Sequence, residues 1–186
     1  VNVTAILGVA GTALAFALFV CTGMIYACLR FLQEWHTPLT VINYILLGGA
    51  SGFVLASALA SLAAPEVAGF YAGWAMILTA LALVGRAASL LRNARLKPKS
   101  TLRTAIGVKH PRIEQKAQGA MGGSFNTREF FHGRTAAFLR QVKWIFLLLT
   151  FPVPLGLLAG GAATGAAALL LAAFAVQYLG LLAERW

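Results

Sequence analysis

Apolar residues dominate five long stretches of the chain, near residues 3–29, 40–63, 68–91, 142–160 and 163–183, and polar residues cluster between them. A helix needs roughly 20 consecutive apolar residues to cross the hydrocarbon core of a bilayer, and these stretches meet that length. The pattern predicts an all-α integral membrane protein, a bundle of about five transmembrane helices with one long basic cytoplasmic loop. Residues 1–91 hold three spans, residues 92–141 the loop with a short helix in it, and residues 142–186 two more spans. The turns are expected at Ala64-Pro65-Glu66 and at Ala159-Gly160-Gly161, neither of which carries Lys or Arg.

Composition supports this class. Hydrophobic residues make up 60% of the 186 and charged residues only 11%, with a mean hydropathy of +0.80, far above a soluble domain. The net charge of +10 comes almost wholly from one segment, because Arg92 to Lys143 holds twelve of the fifteen Lys and Arg residues. The positive-inside rule then sets the loop and Arg185 in the cytoplasm and the N-terminus outside, in a bacterial inner membrane. That rule accounts for the charge without nucleic acid; anionic lipid adds about 1 kcal/mol per basic residue near the surface. Cys21 and Cys28, seven residues apart, are expected to be buried small hydrophobes rather than a redox pair. The chain opens at Val1 without an initiator Met and closes on Glu184-Arg185-Trp186, so both ends are expected to be cuts through a longer protein.

Candidate chemistry is sparse. Haem needs axial ligands inside the bundle, and His36, His110 and His132 all fall in connections, so no haem and no metal site are expected. Arg86 is the ionisable residue nearest mid-membrane; two turns from the end of its span, it is expected to snorkel to the interface rather than serve a buried role. The run from Gly119 to Thr127 lacks the GK[ST] ending of a phosphate-binding loop and reads as a turn. Gly48/Gly52, Gly69/Gly73 and Gly161/Gly165 have the small-xxx-small spacing that brings helices close, with packing inside the chain preferred to a subunit interface. Pro152 and Pro154 are placed to break the fourth span.

Two groups of residues remain as candidates. Glu34 and His36, in Glu34-Trp35-His36-Thr37-Pro38, set a carboxylate beside an imidazole at the membrane interface, a candidate proton relay whose plainer alternative is a solvated Pro turn anchored by Trp35. Asn126-Thr127-Arg128-Glu129 has the form of a capping box opening a short helix to Gly133. Asn126, Arg128, Glu129, Phe130, Phe131 and His132 are therefore expected to form a surface that docks a partner.

Cys21-Thr-Gly-Met-Ile-Tyr26, Trp35-His-Thr-Pro-Leu-Thr40 with Asn43-Tyr44, Arg95-Leu-Lys-Pro-Lys-Ser-Thr101, Gly123-Ser-Phe-Asn-Thr-Arg-Glu-Phe-Phe-His-Gly133 and Gln177-Tyr-Leu-Gly-Leu-Leu-Ala-Glu-Arg-Trp186 together resemble the membrane anchor subunit of the dimethyl sulfoxide reductase family. The resemblance covers essentially the whole chain. It implies the later five helices of an eight-helix, haem-free subunit of anaerobic respiration. Such a subunit oxidises menaquinol or a related quinol as a diffusible substrate and passes electrons to an iron–sulfur subunit and on to a molybdopterin subunit. The family's earlier helices, which carry the His and Glu linked with quinol, have no counterpart here, so no quinol-site residue is carried over. A transporter or export component, or a purely structural anchor, are the rival classes.

Overall fold

The structure is a computed structural model that describes residues 2–30, 32–97, 102–107, 109–110 and 135–185. Every described element is helical: α1 (Val3–Ala27), α2 (Pro38–Ala63), α3 (Pro65–Ala94), α4 (Leu102–Ile106), α5 (Ala136–Thr150), α6 (Pro152–Thr164) and α7 (Ala167–Arg185). Residues Val1–Leu96 and Trp144–Trp186 form one unit, the helix bundle, and Lys97–Lys143 a second. In the second unit Arg103 donates to the carbonyl of Lys109 at 3.0 Å, which closes the chain behind α4. The expected helix at Asn126–Gly133, with its docking residues, lies outside the described residues.

Five helical spans are long and apolar enough to cross a membrane: Val3–Ala27, Pro38–Ala63, Pro65–Ala94, Gln141–Thr164 and Ala167–Glu184. Their ends follow local chemistry. Asn2 caps α1 by accepting from the Thr4 amide at 3.1 Å, and Thr37 caps α2, where Pro38 fills the first helical position. Pro65 opens α3 directly after Ala64, so α2 and α3 form a hairpin with a turn where the sequence places it.

The last turn falls elsewhere. Ala159, Gly160 and Gly161 are helical, and α6 ends instead at Gly165, whose φ of +68° is the left-handed cap that glycine adopts without penalty. Gly160 and Gly161 serve packing: a methyl group on Gly161 would lie 2.7 Å from the Leu170 side chain, so α6 and α7 touch there. Gly48 likewise receives the ring of Phe19, whereas Gly52, Gly69 and Gly73 face open space.

One end of the bundle, the loop end, gathers residues 28–37 and the C-termini of α3 and α7; the other, the turn end, holds the α2–α3 and α6–α7 turns. Toward the turn end the core is wholly aliphatic, built from Val54, Ala58, Ala72, Ala75, Leu158, Leu170 and Ala173. A second cluster of Leu47, Ala82 and Phe151 follows toward the loop end. Cys21 and Cys28 are exposed on the bundle surface, not buried as expected. In a membrane helix an apolar residue is as stable against lipid as against protein, so hydrophobicity does not tell the two faces apart.

Candidate functional site

The connection between α1 and α2 is held at three points. The His36 imidazole donates from Nδ1 to the carbonyl of Ala27 at 2.6 Å, which covers one orphan carbonyl at the end of α1 and fixes the ring. Thr40 Oγ1 donates to the Trp35 carbonyl at 2.6 Å. Both terminal nitrogens of Arg92, from α3, donate to the Gln33 carbonyl at 3.2 and 3.1 Å. Tyr26 meets Trp35 edge-on at 5.2 Å and stacks on Tyr44 at 5.6 Å, forming an aromatic group at headgroup level.

Within this connection Glu34 and His36 are both exposed, and they make no ion pair or hydrogen bond with each other. The imidazole keeps Nε2 as its proton-exchanging nitrogen, since Nδ1 is committed to Ala27. The structure thus sets His36 as a fixed imidazole at the surface without assembling a direct Glu34–His36 relay.

A second polar group lies deeper. Arg86 does not snorkel: its guanidinium pairs with Glu184 of α7 at 2.7 Å and stands 5.3 Å above the ring of Phe146, with the two side chains 24% and 9% exposed. One turn further along α3, Ser89 accepts a hydrogen bond of 2.7 Å from the Asn43 amide of α2, and both are buried. Asn43 Oδ1 lies so close to Gly85 that a methyl group there would be 2.5 Å from it, so glycine lets α3 approach. Replacing Glu184 by Gln should lower stability by roughly 1 kcal/mol, between an exposed and a fully buried pair, as checked by SDS titration of the purified protein.

The third group forms where the fourth span breaks. Phe151, at φ −117° and ψ −78°, leaves helical geometry between α5 and α6. Pro152 and Pro154 have no amide hydrogen, so the carbonyls of Leu148 and Thr150 lose their usual donors four residues on. In hydrocarbon such a group must find another partner. Gln177 of α7 supplies it for Thr150: Nε2 reaches the Thr150 carbonyl at 3.4 Å and Thr79 Oγ1 of α3 at 3.3 Å. Thr79, Thr150 and Gln177 are all at most 1% exposed. Gly180 lets α7 lie directly against the break, because a methyl group there would meet the Thr150 amide nitrogen at 2.6 Å.

Glu34, His36 and Arg86 are legible in the sequence as polar residues near span ends. Glu184 as the partner of Arg86, and the Thr79–Thr150–Gln177 group, are not; the signal available is a Gln and a Thr midway along apolar runs, beside a Pro-x-Pro.

These features define a multi-pass membrane protein with a polar interior at one end. Over all 186 residues the chain is 55% identical to a membrane protein of Allochromatium vinosum named as one of the subunits of sulfite dehydrogenase, and it spans 57% of that protein's length. No family model matches the chain, and no solved structure matches it.

Proposed function

We propose that this chain belongs to the membrane subunit of a respiratory molybdopterin oxidoreductase complex that exchanges electrons between an iron–sulfur partner and the quinone pool. The observation that carries this is the 55% identity, along the entire chain, to a protein named as a sulfite dehydrogenase subunit. The motif resemblance to anchors of the dimethyl sulfoxide reductase family supports the same class of complex. The name of the relative bears on direction. Oxidation of sulfite to sulfate, with water as the oxygen source, releases two electrons and two protons; quinone takes up two of each on reduction to quinol. With a sulfite-oxidising partner the membrane subunit therefore reduces quinone, the reverse of the quinol oxidation that the motif resemblance alone implies.

In this reading the Lys- and Arg-rich end faces the cytoplasm of a bacterial inner membrane and meets the soluble subunits there, with the N-terminus of this chain outside. The chain supplies no haem ligands within its spans, and the molybdenum and iron–sulfur centres belong to the partners. His36, with one nitrogen fixed and the other at the surface beside the Tyr26–Trp35–Tyr44 group, is the residue suited to exchange protons at the interface.

The test is to tag the full-length protein in its native host and isolate it in mild detergent. Iron–sulfur and molybdopterin subunits should copurify, and the complex should reduce a short-chain quinone when given sulfite. A complex lacking this subunit should oxidise sulfite only with an artificial acceptor. Sulfite-dependent quinone reduction that persists without it would exclude the redox role.

A further inference from the structure

The deep polar groups are aligned. Thr79 and Arg86 are seven residues apart on α3, and their partners Gln177 and Glu184 are seven apart on α7, so each helix presents its two groups on one face about 10.5 Å apart. Ser89, bonded to Asn43, extends the α3 row one turn closer to the loop end. Thr79 stands at the middle of α3, fourteen residues after Pro65 and fifteen before Ala94. A polar seam thus runs from the middle of the bundle to the loop end.

Several buried atoms along it have unmet hydrogen-bonding capacity. Asn43 Oδ1, Thr150 Oγ1, Gln177 Oε1 and Arg86 Nε have no hydrogen-bond partner among the described residues. Four such atoms along one seam, three able to accept and one to donate, make an environment that water satisfies, since a buried water bridges two to four polar groups. Beyond Gln177 the interior changes character. Val54, Ala58, Ala72, Ala75, Leu158, Leu170 and Ala173 fill it, and the buried hydroxyl of Ser57 is turned onto the Val54 carbonyl of its own helix.

We propose that the seam is a hydrated half-channel, open to water at the Glu184 end and closed at the level of Thr79 and Gln177. It brings water, and protons along the water, to the middle of the membrane from one side only, while the aliphatic half prevents a leak across. This goes beyond the redox assignment and does not rest on it.

Silver ion tests the idea, because it is small, enters only by aqueous routes and blocks thiols. In the full-length protein in its native membranes, with Cys21 and Cys28 replaced by Ala, single near-isosteric substitutions Ser89→Cys, Thr79→Cys and Ser57→Cys place a thiol at the mouth, the inner end and the aliphatic half. After exposure to silver the protein is denatured and the remaining thiols labelled with a maleimide. Ser89→Cys and Thr79→Cys should be blocked, more than tenfold faster than Ser57→Cys, and from one face of the membrane only. Should Thr79→Cys fail to accumulate, Ala82→Cys, between the two pairs on α3, replaces it. An unblocked thiol at the inner end, block of all three at similar rates, or block from both faces would each overturn the proposal. None of these results depends on sulfite or quinone turnover.

Discussion

Gly180→Ala should destabilise the bundle by about 3 kcal/mol, at the upper end for overpacking, and lower the yield of folded protein accordingly. The added methyl group would stand 2.5 Å from Thr150 Oγ1, 2.6 Å from the Thr150 amide nitrogen and 2.7 Å from the Leu149 carbonyl carbon. Two of those three atoms are backbone, so no rotamer change relieves the contact. Either α7 must move away from the broken span, which pulls Gln177 off the Thr150 carbonyl, or the break itself must straighten, which Pro152 and Pro154 forbid. Gly73→Ala is the control, since nothing lies within 4 Å of the added atom there, and its effect should stay within about 0.5 kcal/mol. SDS titration of the two purified variants, followed by circular dichroism, compares them directly. Equal midpoints for the two would mean that α7 does not lie against the break.

The second large effect is expected at Gln177, and it should depend on Pro154. Gln177→Leu removes the donor that serves the Thr150 carbonyl and Thr79 Oγ1, leaving both buried without it, at a cost of about 2 kcal/mol. Pro154→Ala restores an amide hydrogen four residues after Thr150. In the double variant that amide can take over the Thr150 carbonyl, so the loss should be about 1 kcal/mol smaller than the sum of the single changes. Strict additivity would show that Gln177 is not the substitute for the amide that Pro154 lacks.

How much of this is legible in the sequence depends on the physical quantity involved. Span number and the α2–α3 turn follow from hydropathy and from Pro65, both local properties of the chain. The α6–α7 turn does not: Gly160-Gly161 looks like a turn by composition, yet in a membrane helix small residues are where another helix packs, and only the left-handed backbone at Gly165 ends α6. Arg86 is visible, but its partner lies 98 residues later, and a Glu beside Arg185 at a chain end reads as an ordinary interfacial charge. Thr79, Thr150 and Gln177 escape notice because ionisable residues are the usual marker of a membrane interior in use. Neutral side chains at a proline break perform the same hydrogen-bonding work at lower desolvation cost. For the candidate site, Glu34 and His36 are neighbours in sequence but are not brought together, since His36 turns back to Ala27 instead.

The first helix has a different standing from the rest. From Asn2 to Leu18 it is exposed throughout, and its close approaches to α2 come late, at Phe19 over Gly48 and Gly23 against Val41. Its own backbone hydrogen bonds are complete, so separating it from α2 breaks side-chain contacts alone. The bundle is therefore a hierarchy of stability: α1 is a leaf hinged near its base, able to swing out as a unit while α2 to α7 stay folded, and membrane partners can reach α2 on that side without unfolding anything.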